Sequence, residues 1–325
     1  MKKSIAFIVV LIVSFMGIIS ILLNCFDYTK KSDEKVQIIA TLFPQYDFAK
    51  QIGGDKVEVK LLLPPGTESH TYEPTPQDMV NINNSDLFIY TGKEMEPWAD
   101  SLIAGLKNNI KVLDLSTTVD LINVEEFEEE EHEHGVEHEE EHEHEHEHEH
   151  EHEYDPHIWL NPLYAMKMVK SIEEQLIEVD PTNADFYRNN AERYMNEIQQ
   201  LDTEFENTLK ENNIKKVAFG GAFAYAYFIE RYNLDYISAY STCGENAEPS
   251  TIQIKNVIDY IKKNNIPVIF YKEYTTGNVA RTISEATGAK MVVFNTVHNV
   301  SKDEIEAGES YVSIMRKNLE GFRKE

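Results

Sequence analysis

Between Asn183 and Asn212 the chain contains neither Gly nor Pro, and Tyr187, Ala191, Tyr194, Ile198, Leu201, Phe205 and Leu209 recur at steps of three or four residues. Those steps line one face of a helix. About thirty residues at 1.5 Å each reach roughly 45 Å, longer than one small domain is wide. Asp180-Pro181-Thr182-Asn183 supplies turn and N-cap chemistry ahead of the stretch. A core helix of a single domain is the plainer reading. A stiff helix lying along two units and joining them fits the order of the chain better.

Both flanks alternate short β-like runs with helical patterns. On the first side the expected strands are Val36–Leu42, Val57–Leu63, Leu87–Tyr90 and Lys111–Leu113, with helices over Tyr46–Ile52, Gln77–Ile82 and Trp98–Leu106. On the second side they are Val217–Phe219, Tyr236–Ala239, Val268–Tyr271 and Met291–Phe294. The expected helices there are Ala222–Arg231, Ile252–Lys263, Val279–Ala286 and Tyr311–Phe322. Strands separated by helices pair in parallel, so the expected class is α/β, two lobes with mainly parallel sheets. The expected division is an N-terminal lobe over 36–180, a rigid linking helix over 181–213 and a C-terminal lobe over 214–325. A chain of 325 residues is long enough for that plan.

The formal net charge of −27 is dominated by an insert. Residues 125–153 hold seventeen Glu and no Lys or Arg. Nucleic acid is excluded as a partner, since phosphate binding needs a basic face. At the start, Lys2 and Lys3 precede an apolar stretch from Ile5 to Leu23, the pattern of an export signal. Leu22-Leu23-Asn24-Cys25 resembles a lipobox, with Asn24 where a smaller residue is usual, so residues 1–25 are expected to be a lipoprotein-type leader and Cys25 the lipidated residue. The competing reading is an uncleaved anchor. Either places the body outside the cytoplasmic membrane and tethers it to the membrane surface. Cys25 and Cys243 are the only cysteines, which excludes a disulfide framework.

Nine of the twelve histidines lie in the insert, mostly in a His-Glu repeat. Like-charged and almost without apolar side chains, the insert is expected to be a disordered loop. Alternating imidazole and carboxylate offers many weak sites for ions such as Zn²⁺, so it reads as a metal-collecting loop rather than the tight site. The remaining histidines are His70, His157 and His298. His70 follows the second strand in a proline-rich loop. His157 follows the insert, and His298 lies just beyond the last strand. Singly, each reads as a loop residue. Jointly, they have the distribution that a metal held in a cleft between two lobes requires.

Pro65-Gly66-x-x-x-His70-x-Tyr72-Glu73-Pro74-x-Pro76, Asp155-Pro156-His157-x-Trp159-x-x-Pro162 and Glu248-Pro249-Ser250 resemble motifs of the zinc/manganese solute-binding proteins of bacterial ABC importers. The acidic His-rich insert is similar to that of the zinc branch. The resemblance implies two α/β lobes joined by a rigid helix, a metal between them, and docking on an ABC importer membrane permease. It makes His70 and His157 the first two ligands. Where the family has its third, this chain has Gly220, and near the fourth it has Asn295. The expected site is therefore His70, His157 and His298, completed by water or a carboxylate, with Glu73, Cys243, Glu245 and Asn295 as further candidates. Imidazoles favour Zn²⁺ as the transported ligand over Mn²⁺, which uses more oxygen ligands. The function expected is a zinc receptor and not an enzyme. The alternatives are a manganese or other divalent-metal receptor, an extracellular zinc buffer or adhesin, and a zinc hydrolase. Against the hydrolase, His-Glu-x-x-His is absent outside the insert's repeat.

Overall fold

The apolar runs of each half assemble into one parallel sheet. The computed structural model describes residues 35–67, 70, 72–107, 109–127, 153–240 and 249–323. The leader with Cys25, residues 128–152 of the insert, and the segment 241–248 with Cys243, Glu245 and Glu248 lie outside the described residues. In the first half, β1 (Val36–Ala40), β2 (Val57–Leu61), β3 (Leu87–Tyr90) and β4 (Lys111–Asp114) pair in the order β2-β1-β3-β4. In the second, β5 (Lys216–Phe219), β6 (Asp235–Ser238), β7 (Val268–Tyr271) and β8 (Lys290–Val293) repeat that order as β6-β5-β7-β8. All pairs are parallel. The central strands are the most apolar: β3 is buried throughout, whereas edge strand β2 alternates buried and exposed positions. In each sheet the direction of winding reverses between the two central strands, where open α/β sheets leave a crevice.

Helices α1 (Phe43–Gly53), α2 (Pro76–Asn83), α3 (Ala99–Ile103) and α4 (Pro162–Val179) belong to the first half, α5 (Ala184–Glu211) follows, and α6 (Ala226–Tyr232), α7 (Thr251–Asn264), α8 (Asn278–Thr287), α9 (Lys302–Glu306) and α10 (Tyr311–Glu320) complete the second. Strand β1 stops two residues earlier than its apolar run because Pro44 sits in the first turn of α1, where a missing N–H is harmless. Helix α4 was not expected, yet its signals are present. Asn161 accepts from the Leu163 N–H at 2.9 Å, Pro162 opens the helix, and Ala165, Met168, Val169, Ile172 and Leu176 bury one face. Helix α6 begins four residues later than expected, since Phe223 and Tyr225 are drawn into an aromatic cluster. The Tyr225 ring stacks 4.6 Å from Phe219, and its hydroxyl donates to the Phe294 carbonyl.

Every apolar residue assigned to the inner face of α5 is buried. The helix packs on α1 and α4 of the first half and α10 of the second. On one side Tyr194 donates its hydroxyl to Asp47 of α1. Further along, the Phe205 ring meets Phe228 of α6 at 5.3 Å, and buried Asp202 accepts from Arg231 Nε at 3.0 Å. Asp47 also accepts the Tyr311 N–H at 2.9 Å, so one carboxylate ties α1, α5 and the start of α10 together. One apolar core runs through both halves and α5, and each half also has its own smaller cluster on the outer side of its sheet.

A buried polar network fills the reversal point of the first sheet. The Thr91 and Gly92 N–H groups donate to Glu96 Oε2, each at 3.1 Å. Thr41 Oγ1 touches Glu96 Oε1 and lies 2.8 Å from Gln45 Oε1, which also accepts the Leu42 N–H. Thr41 has one proton for two acceptors. The network closes when Glu96 is a neutral acid donating to Thr41, which in turn donates to Gln45. Burial agrees with this count, pushing the Glu96 carboxyl up to about 8 against the opposing bonds from Thr41, Thr91 and Gly92. The folded protein therefore holds a proton that the unfolded chain releases between about pH 4.5 and 8, and this contribution to stability declines as pH rises through that window. Glu96→Gln keeps a donor to Thr41. It is expected to remove up to about 1.4 kcal/mol of decline per pH unit, seen as a flatter pH dependence of the urea midpoint. Equal slopes in variant and parent would contradict a neutral Glu96.

Candidate metal centre

His70 is placed by the loop after β2. Gly66 adopts φ +75°, a conformation that favours glycine, and its N–H donates to the Val300 carbonyl at 3.1 Å. Asn299 Nδ2 donates to the carbonyls of Pro64 and Thr67, at 2.9 and 2.7 Å. The residue beside His298 thus clasps the loop that carries His70. The two lobes are joined at this point by backbone acceptors.

His157 begins a short 3-10 turn over Ile158–Leu160 and is 1% exposed. The intervening Pro156 restricts the backbone so that Asp155 Oδ1 accepts the His157 N–H at 2.7 Å and lies 3.0 Å from its Nδ1. A carboxylate on Nδ1 holds the ring's orientation and favours the tautomer with a bare Nε2. The rings of His70 and His157 stand 5.5 Å apart between centroids.

His298 comes from the other lobe, after β8. Val297 has φ +62°, a strained state for a β-branched residue, and its N–H donates to Asn295 Oδ1 at 2.7 Å. The tight turn delivers His298 to a site where it is 3% exposed. The Phe43 N–H at the start of α1 binds the His298 carbonyl at 3.1 Å. Burial holds the imidazole well below its usual range, and the charges of Lys272, His70 and His157 act in the same direction. His298 is therefore neutral, the form that binds metals.

The other candidates fall differently. Glu73 is exposed. The Asn295 side-chain oxygen shapes the turn before His298. At Gly220 a Cβ would come within 2.7 Å of Ala280 Cα and 2.8 Å of its Cβ, so α8 leaves no room for a ligating side chain there. The second lobe offers its imidazole from the loop after β8 instead. Among the described residues no group of three or more His, Cys, Asp or Glu side chains is arranged to hold a metal ion as the structure stands. The His70 and His157 rings adjoin without closing a coordination shell. Asp155 and Trp159 also belong to this centre, although the sequence marked them only as parts of a motif. The spacing Asp-Pro-His was the available signal for Asp155.

The family described as zinc-uptake complex component A, periplasmic, matches residues 38–325. The high-affinity zinc uptake system protein ZnuA of Bacillus subtilis (strain 168) is 35% identical over 291 residues, covering 89% of this chain and 87% of that protein. The zinc-binding lipoprotein AdcA of Streptococcus pneumoniae is 34% identical over 295 residues, 91% of this chain but 56% of that protein, so the chain spans little more than half of that relative. Among solved structures, the metal-dependent lipoprotein YcdH of Bacillus subtilis is similar with a TM-score of 0.72 at 31% identity, over 88% of this chain and 97% of that one. The Zn(II)-bound ZnuA-like domain of Streptococcus pneumoniae AdcA is similar with a TM-score of 0.70 at 29% identity, over the same shares of the two chains. Matched along nearly its whole body, the chain belongs to the family of periplasmic zinc-uptake component A proteins.

Proposed function

We propose that this protein is an extracytoplasmic zinc receptor that captures one Zn²⁺ between its lobes and hands it to the membrane permease of an ABC importer. The observation that carries the reading is the pairing of the His70 and His157 rings, 5.5 Å apart between centroids, on a loop that Asn299, next to His298 of the other lobe, clasps. Neutral imidazoles suit Zn²⁺ better than Mn²⁺, whose sites are richer in oxygen. Three nitrogens and a fourth donor, water or a carboxylate, make up a tetrahedral set. The receptor is not an enzyme in this reading. A rigid connecting helix and a clasped cleft serve capture and release. Lipidation at Cys25 would keep it at the membrane surface near its permease.

The His-Glu insert serves as a collector of modest affinity. Its root supports this role: Asp155 N–H donates to the Ile122 carbonyl at 2.9 Å and Val124 N–H to Glu153 at 3.1 Å, so the insert leaves the body four residues before His157. Zinc titration of a chain lacking residues 128–152 tests the whole reading. One tight site is expected to survive the deletion while the weaker sites disappear. Loss of all binding would favour the zinc-buffer reading, in which the insert alone is functional. Tighter binding of Mn²⁺ than Zn²⁺ to the shortened chain would favour the manganese receptor.

A further inference from the structure

Glu273 lies two residues past the end of β7 and is 6% exposed, with its carboxylate turned to the loop that carries His298. Thr296 donates to it twice, through its N–H to Oε2 at 2.9 Å and through its hydroxyl to Oε1 at 2.6 Å. The same hydroxyl oxygen touches His298 Nδ1, and Glu273 Oε1 itself is 3.4 Å from that nitrogen. We propose that Glu273, acting through Thr296, sets the tautomer and ring orientation of His298, leaving Nε2 bare for the metal. This rests on the reading that His298 is a zinc ligand. Glu273 is a positioning residue in this arrangement and not a ligand.

The argument is a count of protons. A threonine hydroxyl has one; burial raises the Glu273 carboxyl, the bonds from Thr296 and the charge of Lys272 oppose this, and as a carboxylate Glu273 takes that proton. The contact between Oγ1 and Nδ1 therefore needs its proton from the ring, so Nδ1 carries the hydrogen and Nε2 the lone pair. Remove the carboxylate and the hydroxyl turns to donate to Nδ1. The ring proton then sits on Nε2, which must shed it before binding an ion. In the first lobe Asp155 acts on His157 Nδ1 directly. In the second a hydroxyl relays the same effect. Thr296 also accepts Trp159 Nε1–H on its carbonyl at 2.7 Å, so the relay is braced against the segment holding His157. Carboxylates that fix a ligating histidine in this way typically matter ten- to a hundredfold in metal affinity.

The test uses the full chain with ¹⁵N-labelled histidine, its His298 signals assigned by their loss in His298→Ala. Metal-free parent protein is expected to show the Nδ1–H tautomer. Thr296→Val removes the hydroxyl but keeps the N–H and carbonyl, and Glu273→Gln replaces one of the two acceptor oxygens by an amide donor, freeing the Thr296 hydroxyl to donate to Nδ1. Both are expected to lose that tautomer preference and to weaken zinc binding about tenfold to a hundredfold. Thr296→Ser retains the relay and is expected to match the parent in both readouts, which separates the relay from general loss of packing. An Nε2–H tautomer in the parent, or Thr296→Val with unchanged tautomer and affinity, would overturn the proposal. Because the tautomer is read without metal, it decides the relay by itself. Undiminished zinc affinity in His298→Ala would instead refute the reading on which the relay's purpose rests.

Discussion

His157→Ala is expected to weaken zinc binding by about a hundredfold or more in the chain lacking residues 128–152. Structural zinc sites gain roughly 10–16 kcal/mol from about four ligands, so the loss of one nitrogen costs on the order of 3 kcal/mol, a little over two decades in Kd. His157 is the member of the trio with its own carboxylate, buried and held at both its N–H and its Nδ1. Its ring also lies edge-on to Trp159 at 5.6 Å. A substitute water could fill the coordination position without restoring the imidazole's affinity for a borderline-soft ion. Competition against a chromophoric chelator reads the effect. The variant should fold normally, since an alanine leaves Asp155 its contact with the backbone. An affinity within threefold of the parent's would remove His157 from the site and with it the interlobe receptor.

The second large effect is on stability. Trp159 is fully buried between the lobes. Its Nε1–H donates to the Thr296 carbonyl at 2.7 Å, and its own carbonyl accepts from the Tyr311 hydroxyl at 2.7 Å. Trp159→Ala should cost about 3–5 kcal/mol, from lost apolar contact and the cavity left behind. For a chain of this size that corresponds to a fall in Tm of roughly 10 °C. Zinc affinity should fall with it, because Thr296 and His157 lose their common brace. Trp159→Phe separates the terms: it keeps most of the volume but leaves the Thr296 carbonyl without its donor, a loss of about 1–3 kcal/mol. Thermal melts of both variants in metal-free buffer check the order. A Tm change of only a degree or two in Trp159→Ala would mean the lobes are held together elsewhere.

Much of the architecture was legible because its signals are local. A helix without Gly or Pro that repeats apolar residues every three or four positions has one face to bury, and α5 buries those residues. Apolar runs punctuated by Pro and Gly became strands β1–β8, two of them with the expected ends and the rest shifted by one or two residues. Helix α4 begins within the Asp155–Pro162 motif, and Asn161-Pro162 is its helix start hidden among the motif residues. The start of α6 shifted for a tertiary reason, the packing of Phe223 and Tyr225 into a ring cluster that no local pattern announces.

The sequence by itself determined the elements and nominated the three histidines, since residue type, spacing and loop position depend on near neighbours along the chain. The tertiary structure decided which donors meet. Only the folded chain shows α8 closing the space at Gly220, Asn295 shaping a turn and Asn299 clasping the His70 loop. Carboxylates as far apart in sequence as Asp155 and Glu273 come to stand behind the rings of His157 and His298. Several deciding hydrogen bonds join residues more than a hundred positions apart, as from Asn299 to Pro64 and from Trp159 to Thr296. Their distances depend on how two sheets and a helix pack, and that packing is a sum over the whole core rather than a property of any segment.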